Sequence, residues 1–160
     1  MRSRWLWAAA AGLLVAAVTA ALTPYGALVG GFYDDGIYLA LARGVAEGGG
    51  YRLPFLPGAP PGVHYPPLYP GLLAAIWGAW PGFPANLVAM RAANAVLLGG
   101  FVVAAARYLG ARAAVPAPVA ALLVAATATA LPVLAVATAL FSEPLFLVLL
   151  VAACWCADAS

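Results

Sequence analysis

Residues Trp5–Thr23 form an unbroken apolar run of 19 residues, and nothing else in the chain restricts its fold so strongly. A helix that crosses the hydrocarbon core of a bilayer needs about 20 such residues. A run this apolar leaves a soluble helix no polar face to turn to water. Comparable stretches recur at Leu87–Leu109, at Ala113–Val136 and from Phe141 to about Cys156. Hydrophobic residues make up 66% of the 160 and charged residues 8%, against about 45–50% and about 25% in soluble domains. The fold class expected is an all-α integral membrane protein with about four transmembrane helices.

A cleaved signal peptide is the rival reading of the first run, because small residues stand at Ala20 and Ala21. The apolar core of such a peptide spans about 7–15 residues, so the longer run reads as a retained helix. Arg2 and Arg4 then hold the N-terminus in the cytoplasm by the positive-inside rule, which places the chain as a multi-pass protein of the cell inner or plasma membrane.

Pro24–Asn86 differs from the rest: it holds Asp34, Asp35, Glu47, His64 and most of the fourteen prolines. Asp34–Glu47 reads as a short helix, with Asp34 as its N-cap and Ile37, Leu41 and Val45 on one face. Gly48-Gly49-Gly50 ends it. After a Pro/Gly-rich stretch, Leu68–Trp80 is apolar but short for a span, which suits a helix lying at the membrane interface with Trp77 and Trp80 at headgroup level. If that helix lies flat, Arg107 and Arg112 face the cytoplasm with Arg2 and Arg4. The long segment is then an extracytoplasmic loop, and Ser142-Glu143-Pro144 returns to its side at the head of the fourth helix.

Seven arginines, no lysine and a net charge of +2 are too few and too scattered for a nucleic-acid face. Cys154 and Cys156 make neither a disulfide framework nor a metal site by themselves and read as apolar fillers. The chemistry available rests on the acids and the one histidine. An ionised Asp34 or Asp35 at a helix start can take a proton from a hydroxyl, or Asp34 can merely cap the helix. Glu143 can cap its helix, or can hold a divalent cation or an acceptor hydroxyl together with the Asp34 cluster. His64, fixed in direction by Pro66-Pro67, can hydrogen-bond, ligate a metal or help bind phosphate. Arg91, inside the second span, must pair or snorkel; a loop carboxylate or a lipid phosphate would answer it.

Taken in order, Phe32-Tyr33-Asp34-Asp35-Gly36-Ile37-Tyr38, then Glu47-Gly48 and Gly50-Tyr51-Arg52, then Tyr65-Pro66-Pro67-Leu68-Tyr69-Pro70, then Ser142-Glu143-Pro144-Leu145-Phe146 resemble the N-terminal part of membrane-embedded GT-C glycosyltransferases. The nearest likeness is to the dolichyl-phosphate-mannose–protein mannosyltransferase-like and aminoarabinose-transferase-like families, and it covers about Trp5 to Leu150. The resemblance implies transfer of a sugar from a polyprenyl-phosphate donor to an acceptor on the extracytoplasmic side, with inversion. It assigns the catalytic base to Asp34, the matching tyrosine to Tyr38, and an acidic position facing the same cavity to Glu143. Tyr65 stands where relatives often carry Lys or His, and His64 where some carry an acid. Tyr38, Tyr65 and Arg91 are the expected donor-binding residues. Asp35, Glu143 and His64 are the expected supporting, acceptor or metal residues, the metal being Mg or Mn. Family members are several times longer with many more spans, so the chain reads as part of a longer enzyme, with other membrane subunits as further partners. Two other readings stand beside this one. The first is a small non-catalytic membrane protein that binds lipid or a partner membrane protein. The second is a transporter fragment, which is disfavoured because the acids lie in a loop and at a helix end rather than on broken helices at mid-membrane.

Overall fold

A computed structural model describes residues 2–23 and 29–158. Residues 24–28 of the loop, and the side chains of Arg2 and Arg4, lie outside the described residues. The described chain is helical: α1 (Arg2–Leu22), α2 (Asp34–Ala46), α3 (Leu68–Ala79), α4 (Leu87–Arg112), α5 (Ala117–Ala128), α6 (Leu131–Thr138) and α7 (Glu143–Ala157). It divides into two compact units. One is a helical unit of residues 2–23, 92–138 and 142–158; the other is a loop unit of residues 29–91 and 139–141.

Two helices are long and apolar enough to cross a membrane, Trp5–Leu22 and Leu87–Arg112, and a third span arises if α5 and α6 are taken together. The third apolar run is not one straight helix. It opens only at Ala117, after Pro116, and bends by 66° between α5 and α6. Pro132 lacks the N–H that a continuous helix would need there. Thr127 and Thr129 return their hydroxyls to the carbonyls of Leu123 and Ala125, a back-bond that tends to bend helices. The fourth run yields a helix of 15 residues, about 22 Å long and short of the ~30 Å hydrocarbon core.

The helical unit packs Ala8 and Val15 of α1 against Leu98 and Val102 of α4 and Ala121 and Val124 of α5. The backbones of α1 and α4 meet at Gly12 and Gly99. A Cβ on either would fall 2.7 Å from the carbonyl oxygen of the other, a contact that only glycine permits.

In the loop unit, α2 lies against α3. Ile37, Tyr38, Leu41 and Ala42 of α2 and Tyr69, Leu73, Ala74 and Trp77 of α3 are buried, a stripe with the 3.6-residue period on each helix. Val45, expected on this face, is 42% exposed; the buried stripe runs through Tyr38 and Ala42 instead. The segment between the helices folds as an irregular hairpin. Leu53 donates its N–H to Pro60 O, Gly62 donates to Tyr51 O, and Arg52 bridges Pro61. Gly62 sits against Leu41 and the Tyr51 ring, where a side chain would collide.

Candidate functional site

The site is built around the start of α2, and the turn before it is tight. Tyr33 has φ 68° and ψ −63°, and the Asp34 N–H bonds Phe32 O at 2.8 Å. This is a γ-turn of the rare hand, a strained conformation for a residue with a Cβ. Gly30, at φ 94°, folds back onto α2. A Cβ on Gly36 would stand 3.0 Å from Gly30 Cα, which explains the glycine inside the Asp-Asp-Gly string.

The two aspartates are used differently. Asp35 is 4% exposed. Its carboxylate accepts the N–H of Gly30 at 2.9 Å and that of Phe32 at 3.2 Å, so it pins the turn to the helix. Asp34 is not the N-cap expected of it; Tyr33 holds that position, without a side-chain bond, and Asp34 is the first helical residue. Asp34 is half-buried, and its Oδ1 accepts the Tyr65 hydroxyl at 3.1 Å.

Tyr65 is held on several sides. Its ring meets Tyr38 edge-on at 5.5 Å and His64 at 5.2 Å, and Tyr38 meets Tyr69 at 5.2 Å. Its carbonyl accepts the Tyr51 hydroxyl at 2.8 Å. Burial, with the bond to the Asp34 carboxylate second, pushes the Tyr65 phenol up to about 12. Burial, with the neighbouring Tyr38, raises Tyr51 as well. The result is a carboxylate faced by a phenol that stays protonated: a hydrogen-bond donor, not a competing base.

The structure therefore brings Asp34, Tyr38, Tyr65 and His64 into one cluster and turns Asp35 to a structural task. His64 is exposed at its edge. Arg91, 3% exposed, lies in the first turns of α4. Just ahead of it Asn86 is fully buried, and its amide has no hydrogen-bond partner among the described residues. Such a group ordinarily costs about 1–3 kcal/mol. Glu143 belongs to the helical unit. It is the exposed first residue of α7, at the edge of an apolar cleft of about 380 Å³ between Leu98, Val133 and Leu147. Among the described residues no three His, Cys, Asp or Glu side chains come together, so the cluster does not by itself make a ligand set for Mg or Mn.

Sequence reasoning passed over Tyr51 and Tyr69, which complete the aromatic cluster, and the Asn86 amide. The Gly-Tyr-Arg and Tyr-Pro strings carried the signal for the tyrosines; Asn86 had none beyond being polar at the edge of an apolar run. Beside α2 a second cleft, of about 710 Å³, is lined mainly by Leu39, Ala40, Phe55, Trp77 and Phe83. The Arg43–Glu47 ion pair, 2.9 Å long, also borders it. Comparison with protein families, with curated proteins and with solved structures finds no match to this chain.

Proposed function

We propose that the chain is the N-terminal module of a membrane glycosyltransferase of the GT-C kind. It passes a sugar from a polyprenyl-phosphate donor to an acceptor hydroxyl on the extracytoplasmic face of the inner or plasma membrane, with its N-terminus cytoplasmic. The observation that carries this reading is the division of labour in the acidic pair. Asp35 is committed to backbone N–H groups, while Asp34 is half-buried and takes one bond from a neutral phenol.

Mechanistically, the acceptor oxygen attacks the anomeric carbon from the face opposite the phosphate. Its proton passes to Asp34 as the new C–O bond forms. The bond from carbon to phosphate oxygen breaks with its electron pair on the oxygen, which leaves as polyprenyl phosphate, and the configuration inverts. Tyr65 orients the Asp34 carboxylate, and the Tyr38 ring fixes Tyr65. The apolar cleft beside α2 suits the carrier's hydrocarbon chain, and Arg91 and the Tyr38–Tyr65 pair are the donor-binding residues of this reading. His64, exposed at the edge of the cluster, is a supporting group on the acceptor side. Further membrane-spanning segments or subunits complete the donor pocket.

The test is transfer of radiolabel from polyprenyl-phosphate sugars by membranes carrying the full-length gene product. Asp34→Asn is expected to lose about 100-fold or more, the usual worth of a positioned base, with insertion unchanged. Equal transfer by Asp34→Asn and the parent would remove Asp34 from the chemistry. A parent with no transfer from any donor would favour a non-catalytic membrane protein that binds lipid or a partner.

A further inference from the structure

The arginines at the far end of α4 are not equivalent. Arg112 is spoken for: its Nε lies 3.3 Å from Asp158 Oδ2 and its NH2 donates to Asp158 O at 3.1 Å, while Tyr108 donates to the same carboxylate at 2.8 Å. Arg107 forms no ion pair among the described residues. Its guanidinium lies over the Trp5 ring. It also lines two clefts of the helical unit. One, of about 200 Å³, is lined by Trp5, Gly110, Ala117 and Trp155. The other, of about 570 Å³, follows Gly100, Val103 and Ala104 of α4 and shares Arg107 and Trp155 with the first.

We propose that this end of the helical unit is a binding site for an anionic phospholipid, with Arg107 taking the phosphodiester and the Gly100–Ala104 groove taking an acyl chain. Arg107 is five residues from the end of a 26-residue apolar helix, about 7–8 Å along the axis, from where a long side chain snorkels to the level of the lipid phosphates. A guanidinium offers a phosphate a two-pronged, charge-assisted contact. Basic pockets between membrane helices select anionic head groups for this reason. Gly100, Val103 and Ala104 lead away from the charge toward the middle of α4, and their small side chains leave the room that a hydrocarbon chain fills. Trp5 and Trp155 supply the amphipathic rings that sit at headgroup level. The proposal does not rest on the glycosyltransferase reading.

Native mass spectrometry of the detergent-solubilised protein, offered equal amounts of phosphatidylglycerol and phosphatidylcholine, tests it. The expected result is about tenfold preferential retention of phosphatidylglycerol, the usual scale for a hydrogen-bonded charge. Arg107→Gln should abolish the preference, and Arg112→Gln should leave it intact. Ala104→Trp, which fills the groove and keeps the guanidinium, should reduce phosphatidylglycerol retention and carries the test if Arg107→Gln does not purify with native helicity. No preference in the parent, or a preference that survives both Arg107→Gln and Ala104→Trp, overturns the site. Displacement of the lipid by equimolar glycerophosphate would assign it to free phosphate instead.

Discussion

Replacing Asp35 by alanine strips the Gly30 and Phe32 N–H groups of their acceptor. Hydrogen bonds to a charged partner are worth about 1.5–3 kcal/mol each, so Asp35→Ala should destabilise the loop unit by about 2 kcal/mol or more. Asp34→Ala, which removes one such bond rather than two and from a half-buried carboxylate, should cost about half as much. Thermal unfolding in detergent orders the two variants, and the reverse order would make Asp34 the structural member. Tyr65 adds a pH signature. Its folded pKa of about 12 lies above the ordinary 10.0, so the neutral phenol is the form that folding favours. That contribution is fully present below pH 10 and is lost as pH rises toward 12. An absorbance titration of the parent minus Tyr65→Phe should show no phenolate until well above pH 10. A difference curve with its midpoint at 10 would mean that burial and the Asp34 contact do not persist in solution. The acidic pair was legible in the sequence as a pair, but its division was not. Which carboxylate turns inward depends on Gly30 folding back over Gly36, a contact that no spacing rule encodes.

At the scale of the helices, the α1–α4 crossing rests on two glycines. Gly99→Val drives a side chain into Gly12 O and the Ala16 methyl, where backbone must move. Overpacking of this kind costs about 1–3 kcal/mol. Gly100→Val, one residue on, meets nothing within 4 Å and should be close to neutral. Melting of the two variants followed by helical circular dichroism checks this, and equal midpoints would show that the helices do not approach so closely. Sequence patterning placed two helix ends within a residue of those observed: Ala46 before the glycine triplet, and Ala79 before Trp80-Pro81. It read straight through Pro116 and Pro132 because apolar composition alone cannot tell a straight helix from a broken one. The tyrosine cluster was out of reach for a different reason. Tyr65 and Asp34 are 31 residues apart, and only the packing of α2 on α3 and the hairpin brings them together.

Across the whole molecule, mean hydropathy is +1.02, and only 22% of the Trp5–Leu22 stretch is buried inside the protein. The remaining apolar surface of α1, including Leu6, Leu13 and Leu14, has lipid as its natural neighbour. The membrane character was therefore legible from composition alone, whereas the number of crossings was not. That number turns on the bend between α5 and α6. Hydrocarbon offers a carbonyl or an N–H no partner, so interrupted backbone is tolerated in a bilayer only where protein or water covers it. Thr129 and Ala130 at the interruption are only half-buried, and Leu131 beside them is 81% exposed. The bend is thus a depth gauge: its backbone has to lie where water, headgroups or further protein can reach it, a position that the lipid tails cannot supply.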